Sequence, residues 1–330
     1  PFTNNFIFLH DYDFVVLEKG NVRIENLREK NVTRPIERIS VNIEESNKGD
    51  FHHFMIKEIL EQADVFERAF NQDEKDVNKF IEEMRKAKKV FLIAAGTSYH
   101  ACLAANYLFA RAGVFAKSIV ASEFSNFLNL VDENTLIIAI SQSGETADTL
   151  ESVRAVKKAG GKVIAISNVV GSTITRESDV TLYMNAGPEI GVAASKTYVN
   201  QLVLLYLLGL YIIKKRGLWN QEHSEIVKQI VDSPKTLKGI ISNKEIENVS
   251  DNYKNYHHFM YIGRGINTAT ALEGALKLKE ISYINAVGYP AGELKHGPIA
   301  LLDPKFPVFA FAPKDSLYEK MRSNIEETRA

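Results

Sequence analysis

Leu136-Ile-Ile-Ala-Ile140 is an unbroken apolar run of strand length, and the polar turn Ser141-Gln-Ser-Gly-Glu-Thr146 follows it at once. A run that is apolar at every position suits a strand buried on both faces, as in a parallel sheet covered by helices. Residues 147–157 then read as a helix. The turn thus joins a buried strand to a helix N-terminus, where the first N–H groups lack partners and the dipole is positive. Ser141, Ser143 and Thr146 add neutral donors suited to a phosphate ester. The same residues could serve only to cap the helix, with Gly144 only easing the turn. Both readings stand on this stretch alone.

The surrounding chain repeats the strand-turn-helix rhythm. Val90-Phe-Leu-Ile-Ala-Ala95 reads as a strand, followed by Gly96-Thr-Ser98 and a helix to Ala112. Ser118-Ile-Val-Ala121, Lys162-Val-Ile-Ala-Ile-Ser167 and Val180-Thr-Leu-Tyr183 are further strands, with Gly160-Gly161 as a helix stop. The pattern predicts an α/β fold, a doubly wound parallel sheet. Ligands of such sheets sit beyond the carboxyl ends of the strands, where the turns at residues 96–98 and 141–143 fall. Upstream, residues 1–48 read as short strands around Phe6, Asp13 and Val22, and residues 44–50 as a polar linker. Residues 54–62 and 76–88 read as amphipathic helices, their apolar faces inward.

Helices dominate residues 195–243. A second rhythm then opens at His257-His-Phe-Met-Tyr-Ile262, with Gly263-Arg-Gly265 leading into a long helix over 268–285. That turn echoes Ala95-Gly96-Thr97 and suggests an internal duplication. A strand over 306–312 and a helix over 316–329 complete what is visible. Two strands and two helices fall short of a doubly wound domain, so the second copy is expected to be truncated. The expected organisation is 1–48, 49–245 and 246–330.

The net charge is −1, without a long basic run, which argues against nucleic acid and against an electrostatic membrane anchor. The most apolar segment, residues 202–213, falls short of the roughly 20 residues a bilayer span requires and suits a core helix or subunit interface. The opening residues Pro1-Phe-Thr-Asn-Asn5 carry no signal-peptide pattern. Cys102 is the single cysteine, so no disulfide framework can form within the chain and a reducing, cytoplasmic compartment is expected. His52, His53, His257, His258 and His296 lack zinc-ligand spacing, and Gly263-Arg-Gly265 lacks the third glycine of a dinucleotide fingerprint. No metal and no cofactor are expected.

Glu273, Lys277 and Glu280 share one face of the long helix. They could form a solvated ion-pair ladder. If the helix is buried, as Leu272, Ala275, Leu276 and Ile281 suggest, a carboxylate flanked by lysine can move a proton between adjacent sugar carbons. Such a lysine can hold developing enolate charge. His296, in Ala291-Gly-Glu-Leu-Lys-His-Gly-Pro298, is either an acid/base near neutral pH or a satisfied loop histidine.

These stretches carry a resemblance. Ala95-Gly-Thr-Ser-Tyr99, Ser141-Gln-Ser-Gly-Glu-Thr-Ala-Asp-Thr-Leu150, Asn185-Ala-Gly-Pro-Glu-Ile-Gly-Val-Ala193, Glu273-Gly-Ala-Leu-Lys-Leu-Lys-Glu-Ile-Ser-Tyr283 and Ala291-Gly-Glu-Leu-Lys-His-Gly-Pro298 occur in order. From about residue 50 onward the chain resembles the isomerase half of the glucosamine-6-phosphate synthases, a tandem of two sugar isomerase domains. Residues 1–48 resemble the end of that family's glutaminase domain and its linker.

The resemblance implies conversion of fructose 6-phosphate and glutamine-derived ammonia to glucosamine 6-phosphate, at the entry to UDP-N-acetylglucosamine synthesis. By this similarity Ser141, Gln142, Ser143 and Thr146 hold the sugar phosphate. Thr97, Ser98, Ser195 and the backbone near Val192 border the sugar. Glu280 shuttles the proton between C1 and C2 with Lys277 beside it. His296 assists ring opening in a neighbouring subunit's site, which implies a homodimer. The family's imine-forming lysine has no match before Ala330, and its N-terminal cysteine none at Pro1, so this chain alone is expected to be incomplete as a synthase. A Ser-Thr pair of the family stands here as Ala194-Ser195. Two alternatives remain at this point: another phosphosugar isomerase or deaminase, and a sugar-phosphate-sensing regulatory module.

Overall fold

The computed structural model describes residues 3–30, 32–38 and 44–330, and the chain divides into two units, Pro1–Asn47 and Lys48–Ala330. The expectation attached to Pro1 lies outside the described residues, as do residues 39–43 ahead of the expected linker.

The first unit holds β1 (Asn5–Ile7), β2 (Asp13–Glu18), β3 (Asn21–Asn26) and β4 (Ile36–Arg38). β2 and β3 form an antiparallel hairpin, and β1 pairs antiparallel with β4, a strand not foreseen in the sequence. Asp13 accepts two hydrogen bonds from the Arg34 guanidinium, at 2.8 and 2.9 Å, and one from Asn26 at 2.6 Å. The Arg34 donors, more than any other contact, hold its carboxyl far below the usual carboxylate range.

The second unit opens with α1 (Phe54–Val65) and α2 (Glu74–Lys86). Then follow β5 (Lys89–Ala94), α3 (Gly96–Arg111), β6 (Ala116–Val120), β7 (Thr135–Ser141), α4 (Ala147–Lys158), β8 (Lys162–Ser167), α5 (Thr173–Glu177) and β9 (Val180–Tyr183). These strands form a parallel sheet in the order β6-β5-β7-β8-β9. The residues of β7 are buried throughout. Its side chains alternate between two cores, as the period of a strand requires. Leu136, Ile138 and Ile140 enter the core shared with α2, α3 and the later helix α6, while Ile137 and Ala139 enter the one covered by α4 and α5. Each of these leucine and isoleucine side chains contributes about 1.5–3 kcal/mol by burial.

The chain leaves β5 toward β6 and returns to β7 on the opposite side of β5. The switch point of the sheet therefore lies between the carboxyl ends of β5 and β7, beside the turns that begin at Gly96 and Gln142.

Helices α6 (Lys196–Lys215), α7 (Gln221–Ile241) and α8 (Glu245–Tyr253) follow. α6 contains the apolar segment 202–213 and is long and apolar enough to cross a membrane by length and composition, yet 67% of its most apolar window is buried inside the protein. It is a core helix, packed on α3. Cys102 lies in α3 without exposed surface, and burial pushes its thiol far above the ordinary cysteine range. The native protein should therefore leave Ellman's reagent unreacted until denaturant is added. Stoichiometric labelling of the folded chain would contradict this environment.

Three further strands, β10 (His258–Gly263), β11 (Asn285–Pro290) and β12 (Val308–Ala310), form a second parallel sheet ordered β11-β10-β12. α9 (Asn267–Ser282) lies between β10 and β11 in sequence, and α10 (Tyr318–Arg329) comes last. The long helix expected over 268–285 thus stops at Ser282, where Tyr283 adopts a left-handed backbone with φ +60°. The strand β11 was not foreseen, because Gly288 and Pro290 disfavour a strand interior. β11 tolerates them as an edge strand. A Cβ on Gly288 would lie 2.8 Å from the Leu272 Cα, so α9 can approach β11 only because that side chain is absent.

A second departure concerns α1. Its apolar residues Ile56 and Leu60 are 43% and 40% exposed, whereas Lys57 and Glu58 are buried at 8% and 1%. The face expected inward is in part outward, and charged side chains occupy the interior.

Candidate active site

The turn after β7 is built by its own side chains. The Ser141 hydroxyl lies 3.0 Å from the Thr146 hydroxyl and accepts a hydrogen bond from the Gly144 N–H at 3.0 Å. Ser143 Oγ accepts from the Glu145 N–H at 3.2 Å. Gly144 has φ +69°, and the Gly144 carbonyl accepts from the Ile174 N–H at 3.1 Å. The Glu145 carboxylate accepts from the Thr173 N–H at 2.7 Å. The turn is therefore fastened to the start of α5 and fixed before any ligand arrives. Thr146 stands at the N-cap of α4 without making a side-chain cap bond, since its hydroxyl faces Ser141. The Thr146 hydroxyl thus serves the turn and not the helix cap.

Asn168, beyond the carboxyl end of β8, joins this turn to the next one. Its N–H donates to the Gln142 carbonyl at 3.1 Å, its side-chain amide donates to the Gly187 carbonyl at 2.7 Å, and its carbonyl oxygen accepts from the Ala186 N–H at 2.9 Å. The segment from Gly187 to Ser195, which holds Val192, is in this way tied to the Ser141–Thr146 turn. Glu189 closes its neck by accepting from the Ser195 N–H at 2.8 Å, the Thr197 N–H at 3.2 Å and the Thr197 hydroxyl. Ser195 sits at the N-cap of α6, and Val192 projects at the apex with 94% of its surface exposed.

On the opposite side of the switch point, α9 docks on α3. The Glu273 carboxylate, buried, accepts from the Thr97 hydroxyl at 2.9 Å and lies 2.7 Å from the His100 Nδ1. Lys277 Nζ stands 3.5 Å from Glu273 and 2.5 Å from Glu280. The acidic-basic-acidic face is therefore a continuous chain, Thr97–Glu273–Lys277–Glu280, running from the carboxyl end of β5 along α9. The ladder is dry at Glu273 and half-open at Glu280, so the fully solvated alternative does not apply. Burial, and after it the charge of Glu273, pushes the Tyr198 phenol on α6 far above its usual range, which keeps it neutral. Ser98 is buried at the first turn of α3.

His296 is not brought to this cluster. It is exposed at the end of a short 3₁₀ turn, Ala291–His296, with no hydrogen-bond partner among the described residues. Sequence reasoning placed Glu273 on the charged face but gave it no part in the site, and it overlooked His100, Asn168 and Glu189. The i, i+4 spacing to Lys277 was the available signal for Glu273. His100 acts through a partner 173 residues away, whereas Asn168 and Glu189 bind backbone groups of nearby loops, which no spacing marks.

A parallel sheet whose switch point carries a hydroxyl-lined turn, with a carboxylate–lysine–carboxylate helix docked on α3, defines an α/β protein with a candidate site at the carboxyl ends of its strands. The SIS-domain family matches residues 83–211 and 253–330, and the chain belongs to it. Within that family it is 47% identical over 338 residues to a glutamine–fructose-6-phosphate aminotransferase [isomerizing] of Thermotoga maritima, covering 100% of this chain and 56% of that protein. The corresponding protein of Thermococcus kodakarensis is 43% identical over 337 residues, with the same coverage. The chain thus spans just over half the length of these relatives. Among solved structures, the C-terminal domain of glucosamine-fructose-6-phosphate aminotransferase from Francisella tularensis superposes with a TM-score of 0.76 at 38% identity, covering 86% of this chain and 82% of that one. The expected doubly wound sugar isomerase fold is the fold observed.

Proposed function

We propose that this chain is the isomerase part of a glutamine–fructose-6-phosphate aminotransferase (isomerising), which turns fructose 6-phosphate and glutamine-derived ammonia into glucosamine 6-phosphate. The observation that carries the reading is the Thr97–Glu273–Lys277–Glu280 chain, which brings an acid-base helix to the sheet's switch point beside a preformed hydroxyl turn. Binding and proton transfer can then act on one ligand.

In this reading Ser141, Gln142, Ser143 and Thr146 receive the phosphate, with the unpaired N–H groups at the start of α4 behind them. Thr97, Ser98, Ser195 and the Val192 backbone border the sugar. Glu280 takes the proton from C1 of the open ketose and returns it to C2, or the reverse. Lys277, paired with Glu280, offers positive charge to the enolate oxygen. His296 has the exposure that a role in a neighbouring subunit's site requires, and a homodimer follows from that role. Residues 1–48 belong in this reading to the end of a glutaminase domain, 49–245 to a first sugar isomerase domain and 246–330 to part of a second. The buried lone thiol suits a reducing cytoplasm.

The test is product analysis of the full-length protein supplied with fructose 6-phosphate, first with ammonia and then with glutamine. Glucosamine 6-phosphate formed from glutamine is the expected product. Formation only of an aldose phosphate, or release of ammonia from glucosamine 6-phosphate with no synthesis, would favour another isomerase or a deaminase. The anchor is tested separately. Ser143→Ala combined with Thr146→Ala should weaken fructose 6-phosphate and inorganic phosphate about tenfold or more by calorimetry, since two charge-assisted hydrogen bonds are lost. Unchanged phosphate affinity would remove the turn from the site.

A further inference from the structure

Glu58 is 1% exposed, yet it forms no ion pair among the described residues. Its carboxylate faces the backbone of the Gly187–Ser195 segment instead. Oε1 accepts from the Ile190 N–H at 2.6 Å and from the Gly191 N–H at 3.1 Å, and Oε2 lies 3.1 Å from the same Gly191 N–H. One turn on along α1, Glu61 holds the buried Lys196 at 2.7 Å and Lys57 at 2.8 Å. α1 thus grips the segment twice, before Val192 and after it. Gly191 lets the carboxylate come this near, since a Cβ there would lie 2.5 Å from Glu58 Oε2 and no closer than 3.4 Å to any other atom. The grip explains why charge lies inside α1 while Ile56 and Leu60 face out. Burying a carboxylate is costly, and it persists where the interior offers fixed N–H donors.

Val192 is a consequence of the same arrangement. A valine 94% exposed at the apex of a segment fastened at Glu189, Asn168, Glu58 and Lys196 is held out by its anchors and not by packing of its own. We propose that Glu58 is a positioning residue: it fixes the backbone at Ile190 and Gly191 so that Val192 meets the sugar end of the ligand, without touching the ligand itself. The inference rests on the proposed function for the identity of that ligand, a hexose 6-phosphate.

Two variants of the full-length protein reach the contact by different routes. Glu58→Ala removes the acceptor, and Gly191→Ala pushes it away while leaving the charge in place. Each should weaken fructose 6-phosphate about tenfold, the scale of a misplaced binding element, and leave inorganic phosphate within about twofold. Glu58→Gln keeps an oxygen for both N–H groups and should restore most of the affinity. The double variant Glu58→Ala/Gly191→Ala should be no weaker than Glu58→Ala alone, because the added methyl then meets no carboxylate. Amide exchange at Ile190 and Gly191 should quicken in both single variants. Fructose 6-phosphate affinity unchanged in either single variant overturns the proposal, as does an equal loss for inorganic phosphate or strict additivity in the double variant. If the unaltered protein binds inorganic phosphate but no fructose 6-phosphate, the functional reading fails instead, and unchanged exchange at the two amides would then refute the grip independently. Should Glu58→Ala not fold, Gly191→Ala decides, since its φ needs no glycine.

Discussion

Replacing Glu280 by glutamine should slow proton exchange at C1 and C2 of fructose 6-phosphate by about 10³-fold, within the range a positioned general base supplies. Glutamine is isosteric and keeps an oxygen for Lys277 Nζ, which stands 2.5 Å from the carboxylate, so α9 keeps its place. The proton acceptor alone is removed. Glu273 cannot stand in for it, because its two oxygens are occupied by Thr97 and His100. Binding should survive within about threefold, since the phosphate turn belongs to a different element, and uniform binding is not what the base contributes. The measurement is deuterium incorporation from D₂O into the sugar phosphate, followed by NMR alongside calorimetric affinity. Exchange at the unaltered rate would place the base elsewhere. Loss of affinity together with rate would give Glu280 a binding role.

Gly144→Ala should disable the phosphate turn more completely than any change of its hydroxyls. Alanine at φ +69° costs about 1–2 kcal/mol by itself. The added Cβ would also lie 2.1 Å from Ser172 Oγ and 2.9 Å from Ile174 Cγ2. Ser172 cannot give way easily, since its carbonyl accepts from the Thr175 and Arg176 N–H groups at the start of α5. The strain of clash and backbone together is about 3 kcal/mol. In the folded variant it should appear as a fall in Tm of about 5–10 °C. The turn should also be displaced, breaking the Gly144 N–H to Ser141 bond, and phosphate affinity should fall about 100-fold. Wild-type affinity in a folded Gly144→Ala protein would show that the geometry of this turn does not matter to the ligand.

How much of this could be read from residues alone depends on the reach of each contact. β7 was legible because burial on both faces leaves an unbroken apolar run, and the turn after it because hydroxyls, Gly144 and a helix start are neighbours in sequence. The charged face of α9 was legible through its spacing. What that face touches was not, since Thr97 and His100 lie 176 and 173 residues before Glu273. β11 was hidden by Gly288 and Pro290, which look like breakers until the approach of α9 is seen. The buried carboxylate of Glu58 was hidden because a charged residue beside Ile56 and Leu60 ordinarily marks the wet side of a helix. His296 carries a persuasive local motif, and the structure leaves it exposed and apart from the cluster.

The Glu273 junction also bears on the order in which the molecule can become competent during folding. The phosphate turn is fastened by Thr146, Asn168, Thr173 and Ile174, all within about forty residues along the chain from β7, and such contacts close quickly at small entropic cost. The acid-base helix must wait for a loop of 173 residues to close before Glu273 can reach His100. In the proposed reading, a chain emerging from the ribosome would thus complete its phosphate turn well before its acid-base helix is in place. Affinity then belongs to the first sheet by itself, and chemistry waits on the junction of Glu273 with His100.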